Sequence, residues 1–176
     1  MRIVSGKYKG RRFDPPHNIT ARPTTDFAKE SLFNVLNNML DFEQLTALDL
    51  FSGTGSISLE LASRGCPQIY SIEQSERHLA FIRKTMKELG VSEITPLKAD
   101  VFRYVESTDL KFDFIFADPP YALPELKDLP DLIFKKSLLA DDGLFVLEHP
   151  KNYDFSQHPH FVQHRHYGNV NFSFFK

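Results

Sequence analysis

Hydrophobic residues along this chain follow three successive rhythms. Residues 2–13 alternate weakly between apolar and polar, with Gly6 and Gly10 as turn points, and predict a short β-hairpin. The run "DPPHN" then breaks any regular structure. Beyond it, Thr24 or Thr25 can cap a helix whose apolar positions Ala28, Leu32, Val35, Leu36 and Met39 recur at helical spacing. From Leu45 the rhythm becomes an alternation of strand and helix. "TALDLF" and "QIYSIE" read as buried strands around a short helix, "GSISLELASRG", that ends at Gly65. "SERHLAFIRKTMKELG" predicts a helix with Leu79, Ile82, Met86 and Leu89 on one face and Gly90 as its stop. "ITPLKAD" and "KFDFIFAD" predict the third and fourth strands; a helix beginning near Asp131 precedes a fifth, "GLFVLEH". Finally "HFVQHRHY" and "VNFSFFK" flank Gly168-Asn169, a two-residue hairpin signal.

Alternating strand–helix units imply parallel strands with right-handed crossovers, and the closing hairpin adds antiparallel ones. The fold class expected is therefore α/β. Such sheets bind ligands beyond the carboxyl ends of their strands, where the strand order reverses. The 176 residues suit one main domain, with room for a small extension. A chain of this size buries about 70% of its unfolded surface and needs no disulfide or structural metal. Cys66, the only cysteine, excludes an internal disulfide and reads as a small buried residue of a reducing compartment. No apolar run approaches the ~18 residues of a membrane span. "MRIVSGKYKGRRF" lacks the apolar stretch of a signal peptide, so a cytoplasmic location is expected.

Charge changes this picture locally. The formal net charge is −2, yet residues 1–22 carry six basic side chains against Asp14 alone, leaving the arm at +5 and the remainder at −7. A basic arm on an acidic body points to a local polyanion contact through Arg2, Lys7, Lys9, Arg11 and Arg12; a solubilising tail is the alternative.

The chemistry is concentrated just after each strand. The first strand is followed by "DLFSGTG", Asp49 to Gly55, whose glycines permit a sharp turn and close approach to a ligand. A dinucleotide fingerprint would place a third Gly at position 58, where Ser58 stands, and a P-loop would need Gly-Lys-Ser/Thr. Asp49 at the loop mouth suits a cationic ligand rather than a pyrophosphate. Glu73 ends the second strand, where a carboxylate can accept both hydroxyls of a ribose; it also suits a helix N-terminus capped by Ser75. Asp100 follows the third strand, placed for the exocyclic amine of an adenine. Asp118-Pro119-Pro120-Tyr121 follows the fourth; by itself, this could be a rigid turn.

Taken together, these residues resemble the class I S-adenosylmethionine-dependent methyltransferases that act on exocyclic amines of bases and carry (Asp/Asn)-Pro-Pro-(Tyr/Phe). The flanks "RIVSGKYKGRRF…RPTTDFAKESLFNVL" and the late Tyr167-Gly168 are similar to the bacterial 16S ribosomal RNA guanine-N2 methyltransferase family of the small subunit. The resemblance implies a Rossmann-like seven-stranded sheet, mostly parallel with an antiparallel C-terminal hairpin, over residues 23–176. Residues 1–22 would form a basic N-terminal β-hairpin extension. It implies S-adenosyl-L-methionine as cofactor, held by Arg22, Thr24, Asp49, Phe51, Gly53, Gly55, Glu73, Gln74, Asp100, Val101 and Asp118. The expected partner is ribosomal RNA or the small subunit, with no membrane and no obligatory protein partner. "ALPELKDLPD" after the motif departs from the family pattern and bears on which RNA is gripped.

An exocyclic amine is a poor nucleophile because its lone pair is delocalised into the ring. Acceptors aimed at its two N–H groups favour the out-of-plane geometry that attack requires, and the Asp118 carboxylate and Pro119 carbonyl fill that role. Proline holds the chain rigid and offers no competing donor. Tyr121 offers a face on which an extracted base can stack. An N6-adenine methyltransferase on DNA or RNA and a non-catalytic RNA-binding relative are the competing readings; a nicotinamide-dependent reductase is disfavoured by Ser58. His158, His160, His164 and His166 could share strand faces in pairs, with a metal site less expected than a solvated face.

Overall fold

The apolar runs that follow Leu45 pair into one twisted sheet in the computed structural model, which describes residues 1–19 and 24–176. Its strands are β1 (Thr46–Leu50), β2 (Gln68–Glu73), β3 (Ile94–Lys98), β4 (Phe112–Ala117), β5 (Leu139–His149), β6 (Phe161–Tyr167) and β7 (Val170–Phe175). The spatial order is β3-β2-β1-β4-β5-β7-β6. β3 to β5 are parallel in that order, while β7 runs antiparallel to both β5 and β6. The order reverses between β1 and β4. Helices α1 (Asp26–Leu36), α2 (Ser56–Ser63), α3 (Glu76–Leu89), α4 (Val101–Ser107) and α5 (Leu129–Lys135) cover its faces.

Strand alternation sorts the core into two clusters. Phe114 and Phe116 join Phe172 and Phe174 under α1, α2 and α3, whereas Ile115 and Ala117 join Leu147 and Phe175 under α4 and α5. Asp113, the lone acid of β4, accepts the Thr46 N–H at 2.9 Å and so satisfies the first donor of β1. Pro96 sits in β3, an edge strand where a missing N–H is tolerated. Cys66 is fully buried, and burial pushes its thiol up to about 11, far from reactivity at neutral pH. No helix among the described residues is long and apolar enough to cross a membrane.

Two expectations are corrected and a third is shortened. The strand expected at Gly143 starts at Leu139, its exposed lead-in Asp141-Asp142 carrying the left-handed φ of 62° at Asp142. Between β3 and β4 lies α4, seven residues with only Val101 and Val105 buried, too short to show a helical period in the sequence. The N-terminal hairpin forms but is short: an antiparallel bridge joins Arg2 and Arg12, with Ile3 N–H donating to the Arg11 carbonyl at 3.0 Å, Gly10 N–H to the Ile3 carbonyl at 2.8 Å and Phe13 N–H to the Met1 carbonyl at 3.0 Å. The boundary expected at residue 22 falls outside the described residues.

The hairpin is cut short because its donors are taken by α2. Val4 and Ser5 N–H donate to the Glu60 carboxylate at 2.8 and 3.1 Å; Lys7 and Tyr8 N–H donate to the Ser63 carbonyl and hydroxyl at 2.7 and 2.9 Å. Gly6 is required there: its φ is +87°, and a Cβ would lie 2.0 Å from the Ser63 carbonyl oxygen. Glu60 is itself buried and also accepts from Arg64 Nε at 2.9 Å, with Lys29 Nζ 3.6 Å away. Lys29, only 1% exposed, donates in addition to the Arg2 carbonyl and to Ser56 Oγ. Burial lowers the Lys29 pKa, with Glu60 the main opposing influence. Removing Glu60 leaves a buried cation and orphaned amides. We expect Glu60→Ala to lower unfolding stability by about 3–5 kcal/mol in urea titrations; a loss below about 1 kcal/mol would show that the carboxylate does not anchor the segment.

Candidate functional site

At the reversal of strand order, the carboxyl ends of β1, β2 and β4 and the turn after β3 enclose a cavity of about 640 Å³. This volume lies in the usual range of small-molecule sites. Its lining brings together Thr24, Asp49, Phe51, Gly53, Glu73, Gln74, Asp100, Val101 and Asp118 to Tyr121. Arg22 lies outside the described residues. Gly55 stands behind the lining: its φ is +81°, and a Cβ would approach Ile82 Cγ1 to 2.9 Å, so it serves the turn and the packing of α3.

The first loop is tightly wound. Phe51 takes a left-handed φ of 58°, uncommon for a residue with a side chain and frequent at functional sites. Ser52 N–H donates to the Ile72 carbonyl at 3.0 Å, and Gly53 N–H donates to Glu73 Oε1 at 2.9 Å. Glu73 Oε2 accepts from Ser75 N–H at 2.7 Å, with His78 Nδ1 at 3.5 Å. Glu73 thus ties the loop after β1 to the start of α3, and each oxygen retains a lone pair for a ligand hydroxyl. Ser75 caps α3 through His78 N–H, so the capping and cavity readings of this corner hold together.

Asp49 is not at the loop mouth as expected; it is the buried floor, inside β1 and 1% exposed. Its Oδ2 accepts from Ser58 N–H at 3.2 Å and from Ser58 Oγ at 2.7 Å, and Ser58 Oγ contacts Ser71 Oγ in turn. Desolvation raises the carboxyl pKa to about 7; the Ser58 bonds oppose this, and the Glu73 charge adds to it. Asp100 caps α4, its Oδ1 accepting from Arg103 N–H at 3.1 Å while the other oxygen takes no part in the cap. Beside it Phe102 meets Phe51 edge to face at 6.4 Å, giving the cavity an apolar wall. Sequence reasoning did not single out Phe102 or His78; their only signal was an apolar or polar ring within a turn of a strand-end acid.

The Asp-Pro-Pro-Tyr segment leaves the end of β4 tied to its neighbours. Asp118 N–H donates to the Leu50 carbonyl at 3.3 Å, Pro119 is buried, and Leu123 N–H closes a turn on the Pro120 carbonyl at 3.0 Å. Across the cavity Thr24 Oγ1 donates to Glu148 Oε1, fully buried at the end of β5, at 3.1 Å. Of the arm residues, Lys7, Lys9, Arg11 and Arg12 are exposed, but Arg2 is half-buried and lies 3.6 Å from both Asp26 and Glu30. The C-terminal histidines divide. His158 meets Asp131 at 2.9 Å and His160 stacks on Phe134, whereas His164 lies between His149 and His166. Among the described residues no three His, Cys, Asp or Glu side chains gather as metal ligands.

The raised pKa of Asp49 has a defined stability signature. Below the ordinary value of 3.8, folded and unfolded forms are both protonated; as pH rises towards about 7, only the unfolded form gains by ionising. The group therefore weakens the fold across that window. Asp49→Asn should match the wild type in thermal stability at the acid end and exceed it above about 7; parallel melting curves across the window would contradict the assigned burial.

The family model described as "Conserved hypothetical protein 95" matches residues 1–176. The chain is 30% identical over 148 residues to "Ribosomal RNA small subunit methyltransferase D" of Buchnera aphidicola, covering 84% of this chain and 75% of that one. It is 32% identical over 155 residues to "Putative rRNA methyltransferase YlbH" of Bacillus subtilis, covering 86% and 83%. Among solved structures, "Putative methyltransferase yhhF from Escherichia coli" superposes with a TM-score of 0.85 at 24% identity, over 99% of this chain and 96% of that one, and shares the fold.

Proposed function

The chain belongs to the Conserved hypothetical protein 95 family, an rRNA methyltransferase family with the class I fold, and on that premise we propose that it methylates the exocyclic N2 of a guanine in small-subunit ribosomal RNA. The methyl donor is S-adenosyl-L-methionine. The observation that carries this reading is the convergence of Asp49, Glu73, Asp100 and Asp118 to Tyr121 on one cavity.

The residues fit that donor. Glu73 has lone pairs left for the two ribose hydroxyls, and Asp100 keeps one oxygen outside its helix cap for the adenine amine. The apolar wall of Phe51, Val101 and Phe102 accepts a flat purine. Asp49 ionises against a cationic amino-acid end, its charge steadied by the two Ser58 bonds. S-adenosylmethionine supplies a methyl group already activated by its sulfonium. The chain's task would then be to position the attacking nitrogen in line with that group. As the N–C bond formed, the S–C bond would break to leave the neutral thioether S-adenosylhomocysteine, and the surplus N–H proton would pass to the Asp118 carboxylate or to solvent. The Asp118 carboxylate and Pro119 carbonyl accept from the two amine N–H groups and draw the nitrogen towards tetrahedral geometry. Tyr121 stacks on the flipped base and offsets its lost stacking, an exchange of roughly 1–3 kcal/mol. The exposed cations Lys7, Lys9, Arg11 and Arg12 meet phosphates outside the cavity.

The decisive test is transfer of labelled methyl from S-adenosylmethionine to small subunits from cells lacking this protein, with mass spectrometry of the released nucleosides. N2-methylguanosine is the expected product; N6-methyladenosine would keep the mechanism and overturn the base. In the same assay Asp118→Ala should abolish transfer while cofactor binding largely survives, and wild-type turnover in that variant would remove Asp118 from the mechanism. Neutralising Lys7, Lys9, Arg11 and Arg12 together should weaken RNA binding and flatten its dependence on salt. An unchanged salt slope would mean that the arm touches no phosphate.

A further inference from the structure

Phe27, in the first turn of α1, is 65% exposed, the most open large apolar side chain among the described residues. Single exposed apolar residues are common and by themselves mean little. Phe27 differs in its surroundings. It stands three residues beyond Thr24, which lines the cavity and is fastened to Glu148. Its ring is braced edge-on by Tyr167, centroids 6.0 Å apart at 88°, and Tyr167 is fixed from behind by Phe172 at 6.2 Å. The Phe27 ring therefore stands exposed at the start of α1, packed edge-on against Tyr167.

Tyr167 also forms one end of a second depression, a groove of about 500 Å³ between α1 and β6. Asn34 lines it from the helix, Asn38 from the turn just beyond the helix end, and Gln163 and Arg165 from the strand. Arg165, oriented by donating to Gln163 Oε1 at 3.1 Å, is the single charged residue of the lining, and no carboxylate joins it. This stands out on a body that carries −7 outside its first 22 residues. Amide side chains offer donors and acceptors at once, which suits base edges, and a guanidinium suits a phosphate. Ser31, Val35 and Met39 complete the lining; a lone guanidinium with no carboxylate beside it favours a polyanion over a protein surface of mixed charge.

We propose that the α1–β6 groove holds the single-stranded RNA next to the target nucleotide, with Phe27 stacking on the adjoining base as the strand leaves the cavity. Arg165 binds a backbone phosphate, and Asn34, Asn38 and Gln163 bond exposed base edges. The proposal rests on the RNA substrate argued above and adds a second contact surface, separate from the basic arm. It assigns Phe27 a positioning role: holding the neighbour keeps the target base extruded towards Tyr121.

The test uses the full-length protein, protein-free small-subunit RNA and assembled subunits, with affinity and methyl transfer measured on each. Phe27→Ala should weaken binding to protein-free RNA about tenfold, the scale of one base–aromatic stack, and Phe27→Trp should restore it. Arg165→Gln should weaken binding and reduce the salt slope by about one. Affinity for S-adenosylmethionine should stay unchanged in all three. Wild-type affinity and transfer in Phe27→Ala and Arg165→Gln, with an active wild-type enzyme, would overturn the groove and leave the function standing. Normal binding to protein-free RNA but lost activity on assembled subunits would assign the groove to a protein partner instead. A wild-type enzyme that transfers no methyl to either RNA form would overturn both readings.

Discussion

The parallel pairing of β1 with β4 is the contact on which the rest of this structure depends. Asp49 sits opposite Phe116 and Leu50 opposite Ala117, so the two strands finish together and their next residues share one space. The chain builds outward from β1 to β3, then returns to the other side of β1 to lay down β4. No crossover helix covers the point of return, and a crevice must open there. The Asp118 N–H bond to the Leu50 carbonyl extends the pairing one residue beyond the sheet and fixes where the Pro-Pro segment departs. A shift of register between β1 and β4 would separate the glycine loop from that segment and turn their side chains to opposite faces.

Four carboxylates meet at this crevice, and their surroundings divide their tasks. Asp49 is desolvated and held by serine donors, and burial raises its carboxyl pKa to about 7. Glu73 is braced by two backbone amides and acts as a fixed acceptor. Asp100 shares itself between a helix cap and the cavity. Asp118 stands past the sheet, followed by two residues whose fixed φ leaves it little freedom to drift. Charge placed at four depths around one cavity favours a ligand with separated polar groups over a compact anion.

Much of this arrangement could be read in the sequence because it follows from rules local to a strand and the turn after it. Glu73, Asp100 and Asp118 were identifiable as strand-end acids, and the closing hairpin was visible in Gly168-Asn169. The burial of Asp49 was not, since it depends on Ser58 and Ser71, which other elements deliver. Lys29 looks like any solvent-facing lysine of an amphipathic helix until Glu60 and the Arg2 carbonyl are folded against it. The hairpin is present but shorter than the alternation suggested, for a related reason. Backbone donors at Val4, Ser5, Lys7 and Tyr8 could pair across a hairpin or with a helix, and only the buried Glu60 and Ser63 decide between these outcomes.

That choice bears on function. Ordered against α2, the N-terminal segment presents Lys7, Lys9, Arg11 and Arg12 from a fixed surface, whereas a loose tail would spread the same charges through solvent. A flexible arm must lose conformational freedom each time it binds, and that loss subtracts from the electrostatic gain. Glu60 accepts the ordering once, on folding, through bonds that also immobilise α1 by way of Lys29. The same helix carries Phe27 at its start and, through Thr24 just before it, reaches the cavity and Glu148. One buried carboxylate on α2 thereby sets the relative placement of the basic segment, the first helix and the rim of the cavity. Its removal should disturb nucleic-acid recognition well before it disturbs the cofactor half of the site, because β1, β2 and β3 hold that half through contacts that do not involve Glu60.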